Sequence, residues 1–211
     1  MKAAGWLPIA VVGLGLALVV WFRPAAEPRA GGAPGVIDIG FAQHMSQHHD
    51  QALMLVDVFL QGHETELAPF AKRMREAQLV EIGQMRGWLA LWDEPLAPER
   101  RAMDWMLAGS TPPDDALRAY LLSCEASPSG MPGLATTAEV RALTEAEGEA
   151  RDRRFLQLMQ RHHEGGLPML RFATEEAGHP AVRQLAERML VDQTRELARM
   201  RSSPLLAGRS D

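Results

Sequence analysis

The sequence predicts an all-α protein: a four-helix bundle built from two duplicated helical hairpins, preceded by an N-terminal apolar helix. Three observations carry this prediction. A motif ending in paired histidines occurs twice, the apolar residues recur with helical spacing, and no strand-like alternation is present.

The duplication is the strongest of the three. Residues 38–49 read DIGFAQHMSQHH and residues 152–163 read DRRFLQLMQRHH, sharing D-x2-F-x3-M-x2-H-H. Asp38 pairs with Asp152, Phe41 with Phe155, Gln43 with Gln157, and Met45 with Met159. His48-His49 pairs with His162-His163. After a Gly-His in each copy, a second shared segment matches Met74 to Met189, Gln78 to Gln193, Glu81 to Glu196 and Met85 to Met200. Each copy therefore reads as helix, turn, helix.

The spacing predicts helices over 37–61, 65–91, 145–177 and 180–202. Positions 38, 41, 45, 48, 49 and 52 lie on one stripe of the first. Gly62 and Gly178 stand where helix C-caps belong, and Pro180 suits a first turn. Residues 92–144 form an insert, with short helices expected near 98–108 and 114–123 and a loop over 127–133. Thr136-x2-Glu139 and Thr144-x2-Glu147 resemble capping boxes. Each hairpin has one apolar face, and docking the two hairpins buries both faces. The bundle then spans 36–204, with hairpins at about 37–91 and 145–202.

Ahead of the bundle, Gly5–Phe22 is uncharged and lies between Lys2 and Arg23, with Trp6 and Trp21 near its ends. Residues 1–23 thus read as a signal-anchor or signal peptide, and the Pro/Gly/Ala-rich stretch 24–35 reads as a linker. The expected location is extracytoplasmic (periplasm or cell surface), membrane-anchored or secreted.

Composition narrows the function. The 211 residues are 46% hydrophobic and 23% charged, which excludes a disordered tail or a fibre. Setting aside Lys2, Arg23, Arg29 and Glu27 leaves 19 of 22 basic and 26 of 27 acidic residues, a net charge of −7. With no basic cluster, nucleic acid is not an expected partner. Cys124 stands alone, so no internal disulfide forms.

The chemistry concentrates in the repeated motifs. His44, His48, His49, His162 and His163 are candidate metal ligands. His44 and His48 share a helix face, whereas His48 and His49 diverge by about 100° around the axis. Met45 and Met159 each lie one turn before a His pair, and Met54 and Met169 follow. Imidazole with thioether favours copper, as Cu(I) or Cu(II); zinc and iron fit less well. A carboxylate-bridged di-iron bundle needs a Glu and a Glu-x2-His per half, which neither hairpin supplies. Asp38, Asp152, Glu81 and Glu196 are the carboxylates that could orient His rings, though Asp38 could instead complement its helix N-terminus. Met74, Met85, Met189 and Met200 read as core, and His63 and His179 as surface turn residues.

The doubled His-His motif, the following Q-x2-E-[IL]-x2-M and Met131-Pro132-Gly133 resemble the family known as domain of unknown function 305, over about residues 36–202. The resemblance implies a ferritin-like four-helix bundle. It also implies an exported copper-binding role of the CopM type, linked to copper tolerance through His and Met. Carried onto this chain it implies His48, His49, His162 and His163 as ligands, with Met45, Met159 and Met169. Family members often carry Met seven residues after the first His of the pair. Met169 fits, whereas position 55 is Leu and Met54 falls one place early. Gly165, Gly166 and Pro168 should loosen or kink the second-copy helix and make the half-sites unequal.

The leading expectation is a copper-binding or copper-buffering bundle without catalysis. The alternatives are a metal-dependent redox enzyme and a metal-free structural or partner-binding module, and no protein partner is named by the sequence.

Overall fold

A computed structural model describes residues 32–62, 64–99 and 103–207. The expected N-terminal membrane or signal helix and His63 lie outside the described residues. No helix among the described residues is long and apolar enough to cross a membrane.

Seven α-helices occur, and no strand is found among the described residues. They are α1 (Val36–Leu60), α2 (Ala68–Leu91), α3 (Asp115–Ala126), α4 (Thr137–Glu145), α5 (Gly148–Glu176), α6 (Pro180–Arg201) and α7 (Pro204–Ala207). A short 3-10 helix, Asp104–Leu107, precedes α3. Helices α1, α2, α5 and α6 are the four expected from the repeat. Within each hairpin the two helices pack along their length, and the hairpins meet mainly through α1 against α5. His48 stacks near His162 and Phe59 on Phe155, so advancing along α1 means retreating along α5. The central pair is antiparallel.

The core falls into two apolar clusters. One holds Phe41, Met45, Met85, Met169 and Met189; the other holds Leu55, Phe59, Met74, Phe155, Met159 and Met200. Repeat-related residues take opposite clusters, as Phe41 and Phe155 do. On α1 the His pair lies between Met45 of one cluster and Ala52 of the other. On α5 it lies between Met159 and Met169, again of different clusters. A polar layer therefore crosses the middle of the bundle. The four methionines read as core are all buried.

Several local expectations change. Gly62 is left-handed at φ +64°, as a C-cap glycine should be. Gly178 is not left-handed. Its missing Cβ instead makes room for the Asp38 carboxylate, 3.2 Å from where that atom would stand. Thr136 and Glu139 form the expected capping box at α4. Thr144 does not form one, because it lies inside α4 with its hydroxyl donating to the Val140 carbonyl. Gly148, at φ +51°, then opens α5. The helix expected to loosen at Gly165, Gly166 and Pro168 runs unbroken from 148 to 176. Those glycines serve close approach: a Cβ at 165 would stand 2.1 Å from the Pro132 carbonyl oxygen.

Candidate metal centre

The diverging side chains of adjacent histidines produce the site. On α1, His48 turns toward α5, where its ring centroid is 3.8 Å from that of His162. His49 turns toward α2, where Nε2 lies 2.8 Å from Glu81 Oε2. The second repeat does the same, with His163 Nε2 2.6 Å from Glu196 Oε2 on α6. All four rings are fully buried.

His48, His49 and His162 each offer a ligand nitrogen, and these atoms lie within 4.8 Å of one another. Both ring nitrogens of His162, and Nδ1 of His49 and His163, lack a hydrogen-bond partner among the described residues, and those of His48 have only a weak interaction with the Pro132 backbone. Leaving a buried polar atom unpaired costs about 1–3 kcal/mol. Five of these nitrogens belong to the three converging imidazoles, a donor set suited to a cation; His163 is not among the three. Burial lowers the pKa of His48 and His162 well below the ordinary imidazole value. Neighbouring histidines lower both further, His49 and His163 around His48, and His48 first around His162. Both rings are therefore neutral at physiological pH, the form that binds metal. Glu81 and Glu196 each engage one outer imidazole, which fixes the ring and directs its free Nδ1.

Other candidates fall outside this group. His44 Nδ1 lies 2.9 Å from the Gly40 carbonyl oxygen of its own helix, and the ring stands 6.1 Å from Trp105. His44 and Met54 line a groove of about 720 Å³, and His44 is not among the three converging imidazoles. Met45 and Met169 share one cluster beside the layer, and Met159 belongs to the other, where Leu55 takes the place equivalent to Met169. Asp38 accepts from the N–H of Gly35 at 2.8 Å and of His179 at 2.9 Å. Asp152 is half-buried in the first turns of α5. His179, expected at the surface, is the N-cap of α6, and its Nδ1 accepts from the Ala181 N–H. Cys124 is buried and unbonded to another cysteine, and burial pushes its thiol up to about 11.

Sequence reading assigned no role in the site to the loop over the histidines or to two glutamines. Met131-Pro132-Gly133 packs onto α5, where Gly133 takes φ +87° and comes against the Arg161 carbonyl. Gln51 pins the loop by bonding both the N–H and the carbonyl of Ala135. Gln78 and Gln193 are buried with both amide atoms unpartnered. Their matched positions in the repeat were the available signal.

Residues 38–203 match the family described as Domain of unknown function (DUF305). The chain belongs to that family. Among solved structures it is similar to a DUF305 protein from Streptomyces coelicolor described as secreted. The identity is 30%, covering 78% of this chain and 89% of that one, with a TM-score of 0.65. A DUF305 fragment from Deinococcus radiodurans is 27% identical, covering 80% of this chain and 95% of that chain, at a TM-score of 0.61. CopM in its Cu(II)-bound form shares the fold at a TM-score of 0.57, with 21% identity over 78% of this chain and 93% of CopM. No curated protein matches this DUF305 chain.

Proposed function

We propose that this DUF305 protein binds copper outside the cytoplasm and buffers the ion or hands it on. The observation that carries the reading is the buried group of His48, His49 and His162, whose ligand nitrogens converge within 4.8 Å. His163 completes the imidazole set from the second repeat. Met45 and Met169, together on one side of the layer, and Met159 on the other are the thioethers that tilt the site toward copper over zinc or iron. A bound ion would supply Lewis acidity or one-electron redox chemistry. The residues themselves hold it, orient the rings through Glu81 and Glu196, and exclude water by burial.

The fold shared with copper-bound CopM and with a relative described as secreted supports the metal and the compartment. Gly5–Phe22 would direct export and tether the protein to the membrane. The test is titration of the purified protein with Cu(I) and Cu(II), read by calorimetry and elemental analysis. Stoichiometric binding that is lost in the His48/His49/His162/His163 quadruple Ala variant is expected. Absence of binding by the wild type overturns the proposal.

A further inference from the structure

The imidazoles have no open way in. His48, His49, His162 and His163 are fully buried, so a water-sized sphere touches none of them and something must move before an ion can arrive. On the outer sides, α2 and α6 pack along α1 and α5, and Glu81 and Glu196 bond the outer rings from them. Passage there would break the bonds that orient the ligands.

The cover over the central pair is of another kind. Residues 127–135 hold no helix and form a strap from α3 to α4. The strap crosses the α1–α5 seam at the histidine turn, where Pro132 meets both helices. Its carbonyl oxygen stands 2.1 Å from where a Cβ at Gly165 would be, and its backbone makes the weak interaction with His48. A Cβ at Gly133 would stand 3.2 Å from His162 Cα. The strap therefore lies against both stacked imidazoles of the cluster.

Among the described residues the strap's ties are few and mostly polar. Gln51, one turn beyond His48 on α1, accepts from the Ala135 N–H at 2.5 Å and donates to the Ala135 carbonyl at 2.9 Å. The Ser127 and Ser129 hydroxyls donate to the Met131 carbonyl. There is space on either side. The groove of about 720 Å³ is lined by Gln51, Ser129, Met131 and Leu134, and a cavity of about 380 Å³ by Cys124, Ser127 and Pro128. Gly130 borders both. A segment held by a handful of bonds with room beside it opens at lower cost than a helix packed along its length.

We infer that the 127–135 strap is the gate of the metal centre, clasped shut by Gln51, and that copper enters and leaves between the strap and α1. This rests on the proposed copper site and supplies its route. The groove gives the mouth suitable chemistry, because His44, Met54 and Glu99 line it beside the strap and offer an approaching copper ion soft and anionic groups. Gln51 is a positioning residue: it touches the strap and not the ion.

The test mixes the full chain with Cu(II) in stopped flow, read by quenching of tryptophan fluorescence, and follows release into excess chelator. Gln51→Ala removes both bonds to Ala135 in the empty and the loaded protein alike. Uptake and release should each quicken about tenfold while the dissociation constant stays unchanged. Hydrogen exchange at the Ala135 amide, which Gln51 holds, should quicken in parallel. The double variant S127A/S129A loosens the other end of the strap and should speed both rates too, so the outcome does not depend on one variant folding. Rates equal to those of the wild type in both variants overturn the inference and move the entrance to the glutamate rim. So does a weaker affinity carried by release alone, the mark of a contact that only supports the site. A wild type that takes up no copper overturns the proposed function itself, whereas stoichiometric copper bound at unaltered rates overturns the gate alone.

Discussion

Glu81 and Glu196 show how single residues set the chemistry here. Each accepts from one Nε2, and Nδ1 of His49 and of His163 has no partner among the described residues. Replacing either by Gln weakens the hold on ring orientation and tautomer. Copper affinity should drop about 10–100-fold while the thermal melt changes little, as competition titration would show. Gly165 makes the opposite case, in which bulk is the problem. Gly165→Ala drives a methyl into the Pro132 carbonyl, and backbone cannot swing aside as a long side chain can. Urea unfolding should record a loss of about 1–3 kcal/mol. The outer His–Glu pairs were legible because repeat spacing put Glu81 and Glu196 on facing helices. The glycines were misread, because local propensity describes a helix in isolation and not a loop pressed against it.

At the level of elements, helix ends are tied by buried groups distant in sequence. Asp38 holds the N–H of Gly35 at the start of α1 and that of His179 at the start of α6. Asp38→Ala strands both donors and should cost about 3 kcal/mol in urea unfolding, since bonds to a carboxylate are the stronger kind. Arg151, at the start of α5, bonds the carbonyls of Val58 and Gln61 at the end of α1. The loop leading into α4 has an electrostatic tie. Arg161 and the Thr136 cap hold the Glu139 carboxyl down to about 2, below its ordinary 4.5. A lowered carboxyl stabilises the fold above 4.5, and the contribution disappears as pH falls from 4.5 through 2. Glu139→Gln should therefore flatten the acid limb of the melting-temperature profile in that window, modestly because water screens the pair. Thr136-x2-Glu139 revealed the cap in advance. Arg161 was not foreseeable as its partner, since the two meet only when α4 lies on α5.

For the whole molecule, the duplication has a consequence neither copy has alone. The antiparallel α1–α5 pair brings both His motifs into one layer, so in the proposed function they contribute to a single centre. Two independent sites would leave half the copper bound when one motif is lost. A single centre predicts that His48→Ala and His162→Ala each abolish tight binding entirely, which equilibrium dialysis distinguishes directly. Copper in hundredfold excess over its dissociation constant should also stabilise the wild type by about 2.7 kcal/mol and neither variant. The centre has unequal flanks. Met169 joins Met45 on one side, while Leu55 stands in the equivalent place beside Met159.

The sequence did not determine α4, and it expected a helix near 98–108 where, among the described residues, only the 3-10 turn Asp104–Leu107 forms. It alone determined the four long helices, the duplication, the methionine-rich core and the identity of the paired histidines. These depend on periodicity and local capping, which are properties of neighbouring residues. Tertiary structure decided which imidazoles converge, that His44 lies apart from them, what Asp38 and His179 bond, and where two glutamines are buried without partners. Those outcomes depend on the register of one helix against another. That register is settled by packing between residues more than a hundred positions apart, where a spacing pattern carries no information.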